Sequence, residues 1–286
     1  MSYKIITDSC CDLPEQMYSQ LDIAVVPMVM NIQGQSINNY TEPQLKEIYA
    51  ALRAGEHATT AAANPQDWED AIVPALEQGK DALVMAFSSG LSTTYQSAVI
   101  AADELMERYP GRTVKVVDTL SASLGQGLFV YYACKKRDEG LSLDELVAWC
   151  EEKKQNVCQW FTVDDLFYLK RGGRISAATA IAGTMLQIKP IFHVDKEGHL
   201  VNVLKARGRK ASIQALAKKL ADTQIPEAND TVFISHGDCL EEAEALAEML
   251  KTQCGVKEVL IHYVGAVIGS HAGPGTIAMF FIGKER

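Results

Sequence analysis

The feature that most constrains this chain is an alternation. Short apolar runs at 4–7, 81–87, 113–117 and 231–235 each end in small hydroxyl, acidic or glycine residues: DSCCDLP, SSGLSTTY, DTLSAS and HGD follow them in turn. Stretches with helical apolar spacing come after such loops, and that order is the signature of α/β layers built on a parallel sheet. Open parallel sheets bind ligands beyond the carboxyl ends of their strands, where helices also receive their N-caps. The polar loops are therefore the first place to look for function. The spacing predicts helices over 42–54, 68–78, 94–109, 125–138, 143–154, 211–221 and 241–251.

At 286 residues the chain fits two lobes or one large α/β unit, and two lobes are the starting expectation. The pattern changes to a mixed, aromatic-rich stretch at 158–167, followed by KRGGRIS and the apolar run 177–192, so the boundary is placed to give an N-terminal lobe over 1–162 and a C-terminal α/β lobe over 163–286. Residues 192–208, FHVDKEGHLVNVLKARG, read as two strands around a Lys-Glu-Gly turn. With no repeat, low-complexity tract or long linker, the lobes are expected to pack together.

Charge and cysteine usage exclude several functions. Lys plus Arg number 27 against 36 for Asp plus Glu, and the net −9 repels nucleic acid and anionic lipid surfaces. The seven cysteines are odd in number and scattered without a CxxC pair, which argues against a disulfide framework or a metal site. The N-terminal MSYKIITDSCC lacks the long apolar region of a signal peptide, and no uncharged apolar run approaches the roughly 18 residues of a membrane span. A reduced, cytoplasmic protein without membrane insertion is expected. Neither GxGxxG nor GxxxxGK[ST] occurs, so the chain is not expected to hold ATP or NAD. Gly125-Gln126-Gly127 reads as a helix start with two small residues, and Gly90-Leu91-Ser92-Thr93-Thr94 is a nucleophile elbow spoiled by Thr94 where the second glycine belongs.

Four loops stand out: TDSCCDLP at 7–14, TAAANPQDW at 60–68, SSGLSTTYQSA at 88–98 and IGSHAGPGT at 268–276. With KRGGRIS at 170–176 they offer many small donors and few charges, suited to surrounding one anionic group with neutral hydrogen bonds. On the residues alone Thr60 and Ser92 read as helix caps, and His271 as a loop histidine bonded to backbone. Asp8 and Asp118, at strand ends, read as Asx-turn and cap residues. Lys205, Arg207, Arg209 and Lys210 read as a solvated patch, with docking to a partner as the alternative.

Taken together and in order, these motifs, with VVDTLSAS at 116–123, FYLKRGGRIS at 167–176 and IKPIF at 188–192, resemble the DegV family of bacterial lipid-binding proteins, to which the fatty-acid-binding subunits of bacterial fatty acid kinase belong. The resemblance covers essentially the whole chain. It implies a Rossmann-like N-terminal lobe with a parallel sheet, a C-terminal α/β lobe, and one long-chain fatty acid in a tunnel between them. No cofactor and no catalytic residue are implied; the carboxylate is presented to a separate ATP-dependent kinase subunit that makes the acyl phosphate. Matched position by position, Thr60 and Ser92 are the carboxylate ligands, Thr93 stands beside them, and His271, Arg171 and Arg174 complete the site. The sequence departs from the family pattern at 61–63, three alanines where a serine, a glutamine and a proline are common, and at Thr93, where glycine is usual.

The physics of such a site is coherent. Burying a tail of about sixteen carbons contributes on the order of 10 kcal/mol before association costs. A buried carboxylate forfeits that gain unless hydroxyls, backbone amides or a protonated His271 satisfy its oxygens. The apolar stretches 177–186 and 264–268 are the expected tail lining, or alternatively plain core. A second reading belongs to another class: a serine hydrolase or acyltransferase on lipid esters with Ser92 as nucleophile, His271 as base and Asp8 orienting it.

Overall fold

The computed structural model describes residues 2–176, 188–284 and 286. The expected tail lining at 177–186 lies outside the described residues. Two sheets organise the rest. Strands β1 (Tyr3–Asp8), β2 (Ile23–Val26), β6 (Asp81–Ala86) and β7 (Val114–Asp118) form a parallel sheet in the order β2-β1-β6-β7. The chain leaves β1 toward β2 on one side and continues from β6 to β7 on the other, so the switch point lies between β1 and β6. Beyond its carboxyl ends such a sheet has a crevice. β6 is buried along its whole length, as its unbroken apolar run requires of a central parallel strand.

The second sheet has six strands in the order β10-β9-β8-β13-β11-β12: Leu200–Arg207, Ile188–Val194, Val157–Thr162, Ile277–Ile282, Thr231–His236 and Glu258–Tyr263. All neighbours pair antiparallel except β11 and β12. The aromatic-rich stretch after residue 157 is thus a buried central strand, and it belongs to the second sheet. A division by sheet falls before Val157, rather than after 162 where the change of composition placed it. Central position explains the misplacement: a strand buried on both faces shows no alternation to mark its start. The Lys-Glu-Gly turn joins β9 to β10 as expected, with Gly198 at φ +81°.

Helix α5 (Leu124–Asp138) is the layer between the sheets, its first seven residues all buried. Its glycines make the close approach possible: a Cβ on Gly125 would overlap Gln159 and Phe280, and one on Gly127 would overlap the carbonyl of Cys11. Leu128 and Phe129 of this helix share one core with Leu83 of the parallel sheet and Phe161, Phe192 and Phe233 of the second. Helices α3 (Pro65–Glu77) and α4 (Thr94–Arg108) cover the other face of the parallel sheet, with the fully buried Trp68 donating Nε1–H to the Thr94 carbonyl at 3.2 Å.

A third, small antiparallel sheet, β4-β3-β5, was not evident in the sequence: Gln35–Ile37, Val29–Ile32 and Ala58–Ala61. It turns the start of the TAAANPQDW loop into strand, pairing Thr60 with Met30. Among the described residues no helix is long and apolar enough to cross a membrane.

Candidate functional site

A cavity of about 1200 Å³ opens beyond the carboxyl ends of β1, β6 and β7 and runs between the two sheets. The loops after those strands supply Cys10, Phe87, Ser89 to Thr93 and Ser123, while the second sheet supplies Phe161, Ala278 and Phe280. All six residues singled out in the sequence, Thr60, Ser92, Thr93, Arg171, Arg174 and His271, line this one cavity. Residues from 60 to 271 meet because β5, the loop before α4, helix α7 (Leu166–Arg171) and the helix Ala266–Ala272 all end at its mouth.

Thr60 is no cap. It sits in β5, with Oγ1 2.8 Å from Nε2 of His271. Ser92 keeps part of the capping character its sequence suggests: Oγ accepts the Thr94 N–H at 3.2 Å and lies 2.8 Å from Thr94 Oγ1. Thr93 has φ −79°, an ordinary value for an L-residue, so the threonine replaces the family's glycine without backbone strain. His271 rests directly over Gly172, whose missing side chain is required, since a Cβ there would overlap Nδ1.

The expectation of a protonated His271 is not met. Burial, followed by the positive charges of Arg174 and Arg171, pulls its pKa down to about 4, so the ring is neutral at pH 7 and links to Thr60 as a neutral partner. The positive charge at the mouth belongs to the arginines. The Arg171 guanidinium stacks 4.7 Å from the Tyr168 ring centre, and Tyr168 in turn donates to the Leu52 carbonyl at 2.7 Å. Arg174 donates to the Gly172 carbonyl.

A serine protease-like relay is not formed. Ser92 bonds to Thr94 and His271 to Thr60, while Asp8 is turned inward: its carboxylate accepts from the backbone N–H of Cys10 and Phe87 and from Gln126 Nε2. Asp8 is a loop anchor, as is Asp118, which accepts from Ser89 and Leu120 N–H. Of the basic patch, Arg209 pairs with Glu242 through both Nε and Nη2 and so braces two helices.

Two features escaped the sequence reading. Val264, Val267 and Ile268 line the cavity where 264–268 was expected to do so, but Phe161 and Phe280 are the larger apolar walls, and central strands carry no signal of what they face. The second is a buried hydrogen-bond chain. Ser123 Oγ lies 2.6 Å from Asp12 Oδ2 and 3.0 Å from Ser235 Oγ, tying the loop after β7 to β11 of the other sheet. Asp12 and Ser123 both adopt positive φ, +50° and +53°, to make it. Burial pushes the Asp12 carboxyl up to about 7 and that of Asp8 up to about 6.

Comparison with known proteins is consistent along the entire length. A family model described as "Uncharacterised protein, DegV family" matches residues 2–284. A DegV domain-containing protein of Clostridium perfringens is 44% identical over 286 residues, covering 99% of this chain and 98% of its own. Among solved structures, a DegV family protein from Thermus thermophilus described by its fatty acid binding superposes with TM-score 0.88 at 35% identity, covering 99% of this chain and 100% of its own. The Streptococcus pneumoniae fatty acid kinase B3 protein, loaded with linoleic acid, superposes with TM-score 0.85 at 23% identity and covers 99% of each chain, a likeness of fold.

Proposed function

Since the chain belongs to the DegV family, we propose that it is a non-catalytic carrier that encloses one long-chain fatty acid in the cavity between its sheets and presents the carboxylate to a partner ATP-dependent kinase in the cytoplasm. The observation that carries this reading is the make-up of the cavity: apolar walls from the second sheet, from the loops beyond the parallel sheet and from the helix Ala266–Ala272, beside hydroxyl donors and two arginines. The tail supplies affinity at about 0.8 kcal/mol per buried CH₂, and the head group fixes orientation. Thr60 and Ser92 hydroxyls hold the carboxylate, Thr93 flanks them, and neutral His271 holds the Thr60 hydroxyl in place. Arg171 and Arg174 set a positive potential at the opening. The Thermus relative supports the ligand and the pneumococcal protein supports the kinase partner. No cofactor enters this scheme.

The test is native mass spectrometry of protein purified from cells, with lipid analysis after denaturation, followed by titration with palmitate. A bound fatty acid in one-to-one ratio is expected. Protein that releases none and takes none up overturns the reading. Thr60→Ala and Ser92→Ala are expected to weaken palmitate binding about tenfold each, the cost of one hydrogen bond to a charged group.

A further inference from the structure

The apolar wall of the cavity contains a polar position that a carboxylate held at the mouth does not use. Ser235 of β11, Ala278 of β13 and Phe161 of β8 pair side by side, so they form a row on one face of the second sheet, and all three line the cavity. A tail lying along Phe161 and Ala278 therefore meets a hydroxyl. Ser235 and its neighbour Ser123 are buried, whereas Thr60 and Ser92 at the mouth are half-buried. Two other buried hydroxyls of the lining are tied to local backbone: Ser270 donates to the Val267 carbonyl, and Thr276 to those of Ala272 and Gly273. Ser235 is held differently.

A serine hydroxyl has one hydrogen to give and two lone pairs to accept with. Burial pushes the Asp12 carboxyl up to about 7, so at pH 8 it is ionised and can only accept. Ser123 Oγ, 2.6 Å away, then donates to it, and Ser235 Oγ, 3.0 Å from Ser123 Oγ, donates in turn. Both hydrogens run toward the carboxylate, which polarises the chain and leaves Ser235 at its cavity end as an acceptor. Among the described residues its hydrogen-bond partner is Ser123. Methylene groups packed on that acceptor give it nothing, while a hydroxyl gives it a hydrogen. Resting on the carrier reading above, we propose that Ser235 determines specificity for the tail, selecting acyl chains that carry a hydroxyl part-way along their length. An oxo group at the same carbon has no hydrogen to give and is not selected.

The probes are stearate, positional isomers of hydroxystearate with the hydroxyl stepped along the mid-chain carbons, and the oxostearate that matches the best of them, titrated by calorimetry at pH 8. The isomers share length, charge and the cost of taking a hydroxyl out of water, so a difference among them reports where the protein meets it. Wild type is expected to bind one isomer, or two adjacent ones, about tenfold more tightly than the rest and than the matching oxostearate. In Ser235→Ala the ratio of that isomer's affinity to stearate's is expected to fall about tenfold, levelling the series. Ser235→Cys, close in volume and a weak acceptor, gives the same reading should the alanine variant fail to fold. Equal affinity across the isomers in wild type, an oxostearate bound as tightly as its hydroxy partner, or an unchanged ratio in the variants would each overturn the assignment. A wild-type protein that binds neither stearate nor any hydroxystearate removes the carrier reading itself, whereas stearate binding with a level isomer series removes only this selectivity.

Discussion

Gly172 shows how one missing methyl group holds the site. His271 occupies the volume a Cβ would take, so Gly172→Ala is expected to push the imidazole off Thr60 and weaken palmitate binding about tenfold. Titration calorimetry reads the loss, and a Tm within a few degrees of wild type shows that the fold survives. The buried aspartates make a pH prediction with a definite sign. Asp12, with its folded pKa near 7 against an ordinary 3.8, binds a proton in the folded state that the unfolded state has lost between those values. Its contribution therefore falls as pH rises from 4 to 7. His271 and His236, both pulled down to about 4 by burial, act in the opposite sense, and stability gains from them as pH rises from 4 to 6.5. The two effects offset in wild type. Asp12→Asn removes one of them, so its stability relative to wild type is expected to improve from pH 5 to pH 8 by on the order of 3 kcal/mol, measured by urea denaturation at both values.

The elements owe their placement to local chemistry that can be read one helix at a time. Asn64 caps α3, accepting from the Asp67 N–H at 3.2 Å while Asp67 returns a bond to the Asn64 N–H at 2.8 Å. Asn64→Ala is expected to cost about 1 kcal/mol in chemical denaturation. The seven helices expected from apolar spacing all form, with ends displaced by at most three residues. Strands were less legible. The four that precede polar loops were evident, but β3 and β4 are short, and β8 and β13 are buried on both faces, so no alternation marks them. Helix α5 has the reverse relation: its Gly-Gln-Gly start was read as small residues, and the sandwich between the sheets supplies the reason. Gly127→Ala drives a methyl into the Cys11 carbonyl and is expected to cost about 2 kcal/mol or more, read from the denaturation midpoint.

Across the whole molecule polar contacts bridge the two sheets and their loops. Ser88 Oγ donates to the Gly198 carbonyl at 2.9 Å, Ser123 meets Ser235, and Arg286 donates to the Lys154 carbonyl at 2.9 Å and to Ser121 Oγ at 3.0 Å. Unfolding is therefore expected to be a single cooperative transition in calorimetry. A ligand held by both lobes stabilises that state by mass action, so palmitate at a hundred times its Kd is expected to raise stability by about 2.7 kcal/mol and the Tm with it. Two separate transitions, only one of them shifted by palmitate, would contradict this. The sequence by itself determined the alternating α/β order, the helices and the loops that carry the donors, because caps, turns and apolar periodicity act within a few residues of where they are written. It also fixed the residue types at the mouth. Only the tertiary structure decided that Thr60 belongs to a strand, that β8 joins the second sheet, and that His271 is neutral. Those facts depend on burial and on partners brought together from distant parts of the chain, and no local pattern encodes what a side chain will meet there.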